Sequence, residues 1–69
     1  MASLGQQLRA QRLARGLSQA ALAAKAGIAK VSVEKIEAGQ RTPSWAMLAR
    51  LARALDCRVQ LTLIPRRAK

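Results

Sequence analysis

Leu17–Gly39, LSQAALAAKAGIAKVSVEKIEAG, decides the fold, because it reads as two short helices joined by one forced bend at Gly27. Ser18 is a good N-cap, its oxygen free to accept a backbone N–H of the first turn. The run Gln19 to Ala26 holds only helix-tolerant residues, with Leu22 and Ala23 on one face. Gly27 ends that helix, since glycine accepts the left-handed geometry of a sharp exit, and Ile28 is placed to drop inward as the anchor of the turn. A second helix follows from roughly Lys30 to Ala38, with Val33 and Ile36 at i, i+3 facing inward and Gly39 closing it. Lys30, Val31, Ser32, Glu34 and Lys35 are left facing outward.

The flanks read as support. Upstream, Ser3-Leu4-Gly5-Gln6 fits the S-x-x-Q capping box and opens a helix that runs to about Arg15 and ends at Gly16. Leu4 and Leu8 form its inner face, with Leu13 at the edge. Arg12 falls on or beside that stripe, where an unpaired charge is costly, and Glu37 is its natural partner. Downstream, Gln40-Arg41-Thr42-Pro43 is a polar loop and Ser44 caps a fourth helix ending near Leu55. Leu48, Leu51, Ala52 and Leu55 follow the i, i+3, i+4, i+7 rule, while Arg50 and Arg53 fall opposite. Trp45, the only aromatic residue, is most simply a partly buried cover over the core, with contact to DNA or a partner protein as the sharper alternative. From Arg58 to Ile64 the period changes to two: Val59, Leu61 and Leu63 alternate with Arg58, Gln60 and Thr62 until Pro65. A lone strand cannot satisfy its own backbone groups, so the economical solution is the same strand from a second copy, antiparallel about a two-fold axis. An irregular tail folded onto its own subunit is the alternative. The expected architecture is therefore mostly α: four helices over residues 1–56, a dimerisation strand over 57–65, and a basic tail over 66–69.

Composition narrows the partners. Sixty-nine residues make one domain near the lower size at which a chain folds alone, so a second subunit would help. A net charge of +10, from 13 Lys and Arg against Glu34, Glu37 and Asp56, implies a polyanionic partner, nucleic acid before an anionic membrane surface. With no His and the single Cys57, no cluster has metal-ligand spacing and no cofactor is implied. Cys57 reads as a small residue packed beside a helix end rather than an oxidation sensor. The absence of a nucleophile–base pair and the short chain argue against an enzyme. No apolar run approaches the roughly 20 residues of a membrane span, and the N-terminus lacks a signal-peptide core; both point to the cytoplasm, on nucleoid DNA.

A short helix held at an angle by a tight glycine turn, with long polar residues outward, is a helix-turn-helix that fits a DNA major groove. Leu8 to Leu55 resembles the Cro/C1 repressor (XRE) type of this domain, on Gly16-Leu17-Ser18-Gln19, Leu22-Ala23, Gly27-Ile28, Ile36-Glu37, Gly39 and Pro43. Two departures stand out: Ala29 where the family usually caps the recognition helix with Ser or Thr, and Ala21 in place of the usual capping-box acid. Each weakens a helix start by roughly 1 kcal/mol. The resemblance implies an Arg12–Glu37 ion pair and base contacts from Lys30, Val31, Ser32 and Lys35. Side-chain chemistry assigns phosphates to Gln19, the backbone around Ser18, Arg41, Thr42 and Arg9. Glu34 either accepts from cytosine or pairs with Lys30 at i, i+4. The tail is similar to that of HipB-like antitoxins, which end in a strand forming an intersubunit sheet. The resulting expectation is a homodimeric repressor on a palindromic operator, either the antitoxin of a toxin–antitoxin operon or a stand-alone regulator. A non-specific architectural DNA binder and a membrane-active cationic helix are the rivals.

Overall fold

The computed structural model describes residues 3–60 and Pro65. Over these residues the chain forms α1 (Leu4–Ala14), α2 (Gln19–Ala26), α3 (Lys30–Glu37) and α4 (Trp45–Ala54). Three of the four starts carry the serine cap that the sequence provides. Ser3 and Gln6 form a reciprocal capping box: Gln6 N–H donates to Ser3 Oγ at 3.2 Å, and Ser3 N–H donates to Gln6 Oε1 at 3.0 Å. Ser18 Oγ accepts from Ala21 N–H at 3.0 Å and Ser44 Oγ from Met47 N–H at 3.1 Å. Ala29, at the head of α3, makes no side-chain cap.

All four helices end in the same reverse turn, in which an N–H beyond the helix bonds back across six residues. Leu17 donates to the Arg12 carbonyl, Ile28 to Ala23, Gln40 to Lys35 and Cys57 to Ala52, at 2.8–3.0 Å. The residue just before each of these donors is left-handed: Gly16, Gly27 and Gly39 in the first three, and Asp56, at φ 54°, in the fourth. Asp56 thus pays a conformational penalty that the glycines avoid, and puts a negative charge on the negative end of the α4 dipole.

α2 is the centre of the packing, lying against both α3 and α4, while α1 lies against α3. Leu8, Leu22, Val33, Ile36, Leu51 and Leu55 fill the core between Ala23, Ala26 and Ala54, whose small side chains let the helices approach. Ile28 and Met47 close its rim. The inner face of α1 differs from expectation. Leu8 is buried, but Leu4 sits at the edge, 36% exposed, and Gly5 is the buried residue of that first turn. The end of α3 passes so close to Gly5 that a Cβ there would run into the carbonyl oxygen of Ile36 and come within 2.8 Å of that of Glu37.

No strand occurs among the described residues. Arg58–Gln60, where the strand was expected to begin, has no regular structure, and Leu61 and Leu63 lie outside the described residues. No helix among the described residues is long and apolar enough to cross a membrane.

Two substitutions test this packing. Asp56→Gly should raise stability by about 0.5–1 kcal/mol, seen in a thermal melt as a gain of several degrees. Gly5→Ala should lower it by about 1–3 kcal/mol, because the obstruction is backbone and cannot rotate away.

Candidate nucleic-acid interface

Arg12 lies 8% exposed on α1 and reaches across to the last turn of α3. Its Nε donates to Glu37 Oε2 at 2.7 Å and its Nη2 to Glu37 Oε1 at 2.9 Å, a two-pronged ion pair; Nη1 donates to the Leu17 carbonyl at 2.9 Å. The hydrogen bond to Glu37 raises the Arg12 pKa above the ordinary guanidinium value, outweighing burial, which acts the other way. Glu37 Oε1 also accepts from Gln19 Nε2 at 3.3 Å. One carboxylate therefore ties α1, the start of α2 and the end of α3 together. Gln19, assigned to a phosphate from sequence, is half-buried and oriented by this bond rather than projecting freely.

On the other side of α3, Lys30, Val31, Glu34 and Lys35 are exposed, Val31 by 50%. Lys30 Nζ lies 3.7 Å from Glu34 Oε2, an exposed i, i+4 pair. Such pairs contribute roughly 0.3–0.5 kcal/mol, so a DNA base or phosphate can displace Glu34 from Lys30 at little cost. Ser32 does not join them. It is only 6% exposed, and its Oγ accepts from Arg41 Nη1 at 2.9 Å. Its expected outward orientation is corrected for a geometric reason: Ser32 sits four residues before Ile36, one helical turn away on the same face, so it turns inward with Val33 and Ile36. The i, i+4 spacing was the available signal. Arg41 is exposed as a residue although its Nη1 is held by Ser32, and Ser18, Thr42 and Arg9 are exposed as well.

The face so assembled is a short helix with two lysines and a valine outward, flanked by Gln19 at one side and Arg41 at the other. Residues 3–63 match the helix-turn-helix domain family. The chain belongs to that family. The restriction-modification controller protein C.AhdI from Aeromonas hydrophila is 44% identical, with a TM-score of 0.77 over 78% of this chain and 82% of that one. The P22 c2 repressor, crystallised in complex with synthetic operator 9T, is 29% identical, with a TM-score of 0.79 over 84% of this chain and 88% of that one. The uncharacterized HTH-type transcriptional regulator y4dL of Sinorhizobium fredii is 39% identical over 62 residues, 90% of this chain. The chain spans 31% of that relative's length. These similarities make it an XRE-type helix-turn-helix domain.

Trp45 also departs from expectation. It is 62% exposed rather than covering the core, because it is the first residue of α4 and three positions before the half-buried Leu48, at the margin of the apolar stripe. With Leu4 and Val59 it borders an open groove between α1 and α4, to which no α3 residue contributes. Cys57 is half-buried against the core, its Sγ 3.4 Å from the Leu55 carbonyl. Among the described residues no three His, Cys, Asp or Glu gather where a metal ion could be held.

Arg12→Met should destabilise the domain by about 3–5 kcal/mol, since it strands the Glu37 carboxylate, 5% exposed, without its cation. The double variant Arg12→Met/Glu37→Met should recover part of that loss in chemical denaturation.

Proposed function

We propose that this chain is a sequence-specific transcriptional repressor that acts as a homodimer on a palindromic operator. The observation that carries the proposal is the outward face of α3, where Lys30, Val31 and Lys35 stand exposed on a helix anchored at both ends by buried polar bonds. Lysine ammonium groups seek the O6 and N7 acceptors of guanine, and a valine at the tip of the helix suits a thymine methyl, so the half-site contains G and T. Gln19, the backbone N–H groups around Ser18, Arg41, Thr42 and Arg9 take the flanking phosphates and set position rather than sequence. Ser32 reads no base in this arrangement.

The similarity to the operator-bound P22 c2 repressor supports this mode of use, and the similarity to the restriction-modification controller protein C.AhdI supports a regulatory role. A dimer carrying two such helices reads half-sites centred about one helical turn, roughly 34 Å, apart. The segment proposed to join the subunits is the alternating one, of which Val59 is described and Leu61 and Leu63 are not. Within this reading the chain is either a stand-alone autoregulator or an antitoxin that represses its own operon and binds the toxin encoded beside it. The alternating tail favours the antitoxin, and the open groove beside Trp45 is a surface with apolar margins outside the DNA face. Co-purification of the neighbouring gene product separates the two: a stoichiometric complex means an antitoxin, and its absence a stand-alone regulator.

The decisive experiment is competition anisotropy on DNA from upstream of the chain's own gene against a scrambled duplex, near 0.15 M salt. A preference of about a thousandfold is expected, whereas a ratio near one would leave only the non-specific architectural reading. With about three phosphates neutralised per subunit, log K should fall against log salt with a slope near −5. Lys35→Ala should cost about 1–3 kcal/mol on the cognate duplex alone, and Arg41→Ala should weaken both duplexes alike.

A further inference from the structure

The bond between Arg41 and Ser32 joins two residues that lie nine apart, one on the loop after α3 and the other on the inward side of its first turn. An exposed arginine on a polar loop loses substantial side-chain entropy when it is held in one place, so a free Arg41 would sample many positions, few of them useful to a ligand. Here one terminal nitrogen, Nη1, is committed to a buried hydroxyl. The guanidinium fork has five N–H groups in one rigid plane, so fixing one of them aims the others. The hydroxyl itself sits on α3, one residue from Val31 and two from Lys30. Whatever Arg41 grips is thereby set at a fixed distance from the residues that face the groove.

We propose that Ser32 is a positioning residue for DNA binding: its buried hydroxyl holds the Arg41 guanidinium against the first turn of α3, so that one phosphate contact and the base-reading face engage as a rigid unit. This rests on the DNA-binding reading above. It differs from that reading in assigning Ser32 a role that involves no touch of DNA, exercised entirely through Arg41. Preorganisation of this kind increases affinity by removing the ordering cost from the binding step, without adding a contact. Because the contact made is to phosphate, the effect is independent of base sequence.

The test is a double-mutant cycle of wild type, Ser32→Ala, Arg41→Ala and the double variant. Each is titrated by anisotropy into the upstream duplex and a labelled mixed-sequence duplex of the same length, at several salt concentrations. Ser32→Ala should keep the fold, since alanine suits a helix interior and the freed guanidinium N–H can turn to water; a thermal melt checks this. Arg41→Ala should weaken binding about tenfold and lower the magnitude of the salt slope by about one for each subunit bound. Ser32→Ala should weaken binding about three- to tenfold with the salt slope unchanged, because the charge is still present, and should cost nothing further once Arg41 is already alanine. Wild-type affinity for Ser32→Ala, or losses that simply add in the double variant, would overturn the proposal. Loss of preference for the upstream duplex in wild type would instead strike the repressor reading, and the cycle would still be legible on the mixed-sequence duplex.

Discussion

Arg12 and Glu37 meet in two parallel hydrogen bonds beneath the surface, and most of the interface hangs on that contact. Its reach comes from the number of elements it joins. The third arm of the guanidinium holds the Leu17 carbonyl at the entrance to α2, and the carboxylate also accepts from Gln19 on its first turn. A charge pair this enclosed is a weak source of net stability, since two desolvated ions are costly to bring inside. What it supplies is register: guanidinium and carboxylate match in only one planar arrangement, so α1, α2 and α3 can be joined in one relative position. Gly5 makes the arrangement possible, because any side chain there would hold α1 away from the end of α3.

α3 needs such support. It is eight residues long, starts without a side-chain cap and carries no acid in its first turn. A helix of that length is not stable alone, so its conformation depends on tertiary packing. Val33 and Ile36 supply the apolar part of that packing, while Glu37 at one end and Ser32 at the other supply polar bonds. Their partners, Arg12 with Gln19 at one end and Arg41 at the other, all come from outside the helix. The inward side of α3 thus determines how the helix is held, and leaves the outward side free of structural duty.

Charge is distributed to the same end. Of the three acids, Glu37 is consumed by Arg12, Glu34 pairs loosely with Lys30, and Asp56 lies at the end of α4. The outward face of α3 is therefore cationic with one displaceable carboxylate, a surface whose attraction to a polyanion is long-ranged and weakened by salt.

The helices, their serine caps and their glycine exits were legible in the sequence, because capping and left-handed turns are local chemistry decided by a residue and its neighbours within one turn. The lysines and valine on the outward face followed from helical periodicity, and the need of Arg12 for a partner from the cost of burying a charge. The departures share another origin. Ser32 is buried, Gly5 rather than Leu4 faces inward, and Trp45 is exposed: Ser32 lies one turn from Ile36 and is met by Arg41, the end of α3 passes close to Gly5, and Trp45 falls at the margin of the α4 stripe. Periodicity says which residues share a face but not where the edge of that face falls, and an edge residue is assigned only when its neighbour is in place. The sequence by itself determined the helices and the sign of the charge they present. Only the tertiary structure decided that Ser32 is enclosed and bonded, since its spacing from Ile36 sets its side of the helix but Arg41 has to arrive from the loop after α3 to meet it.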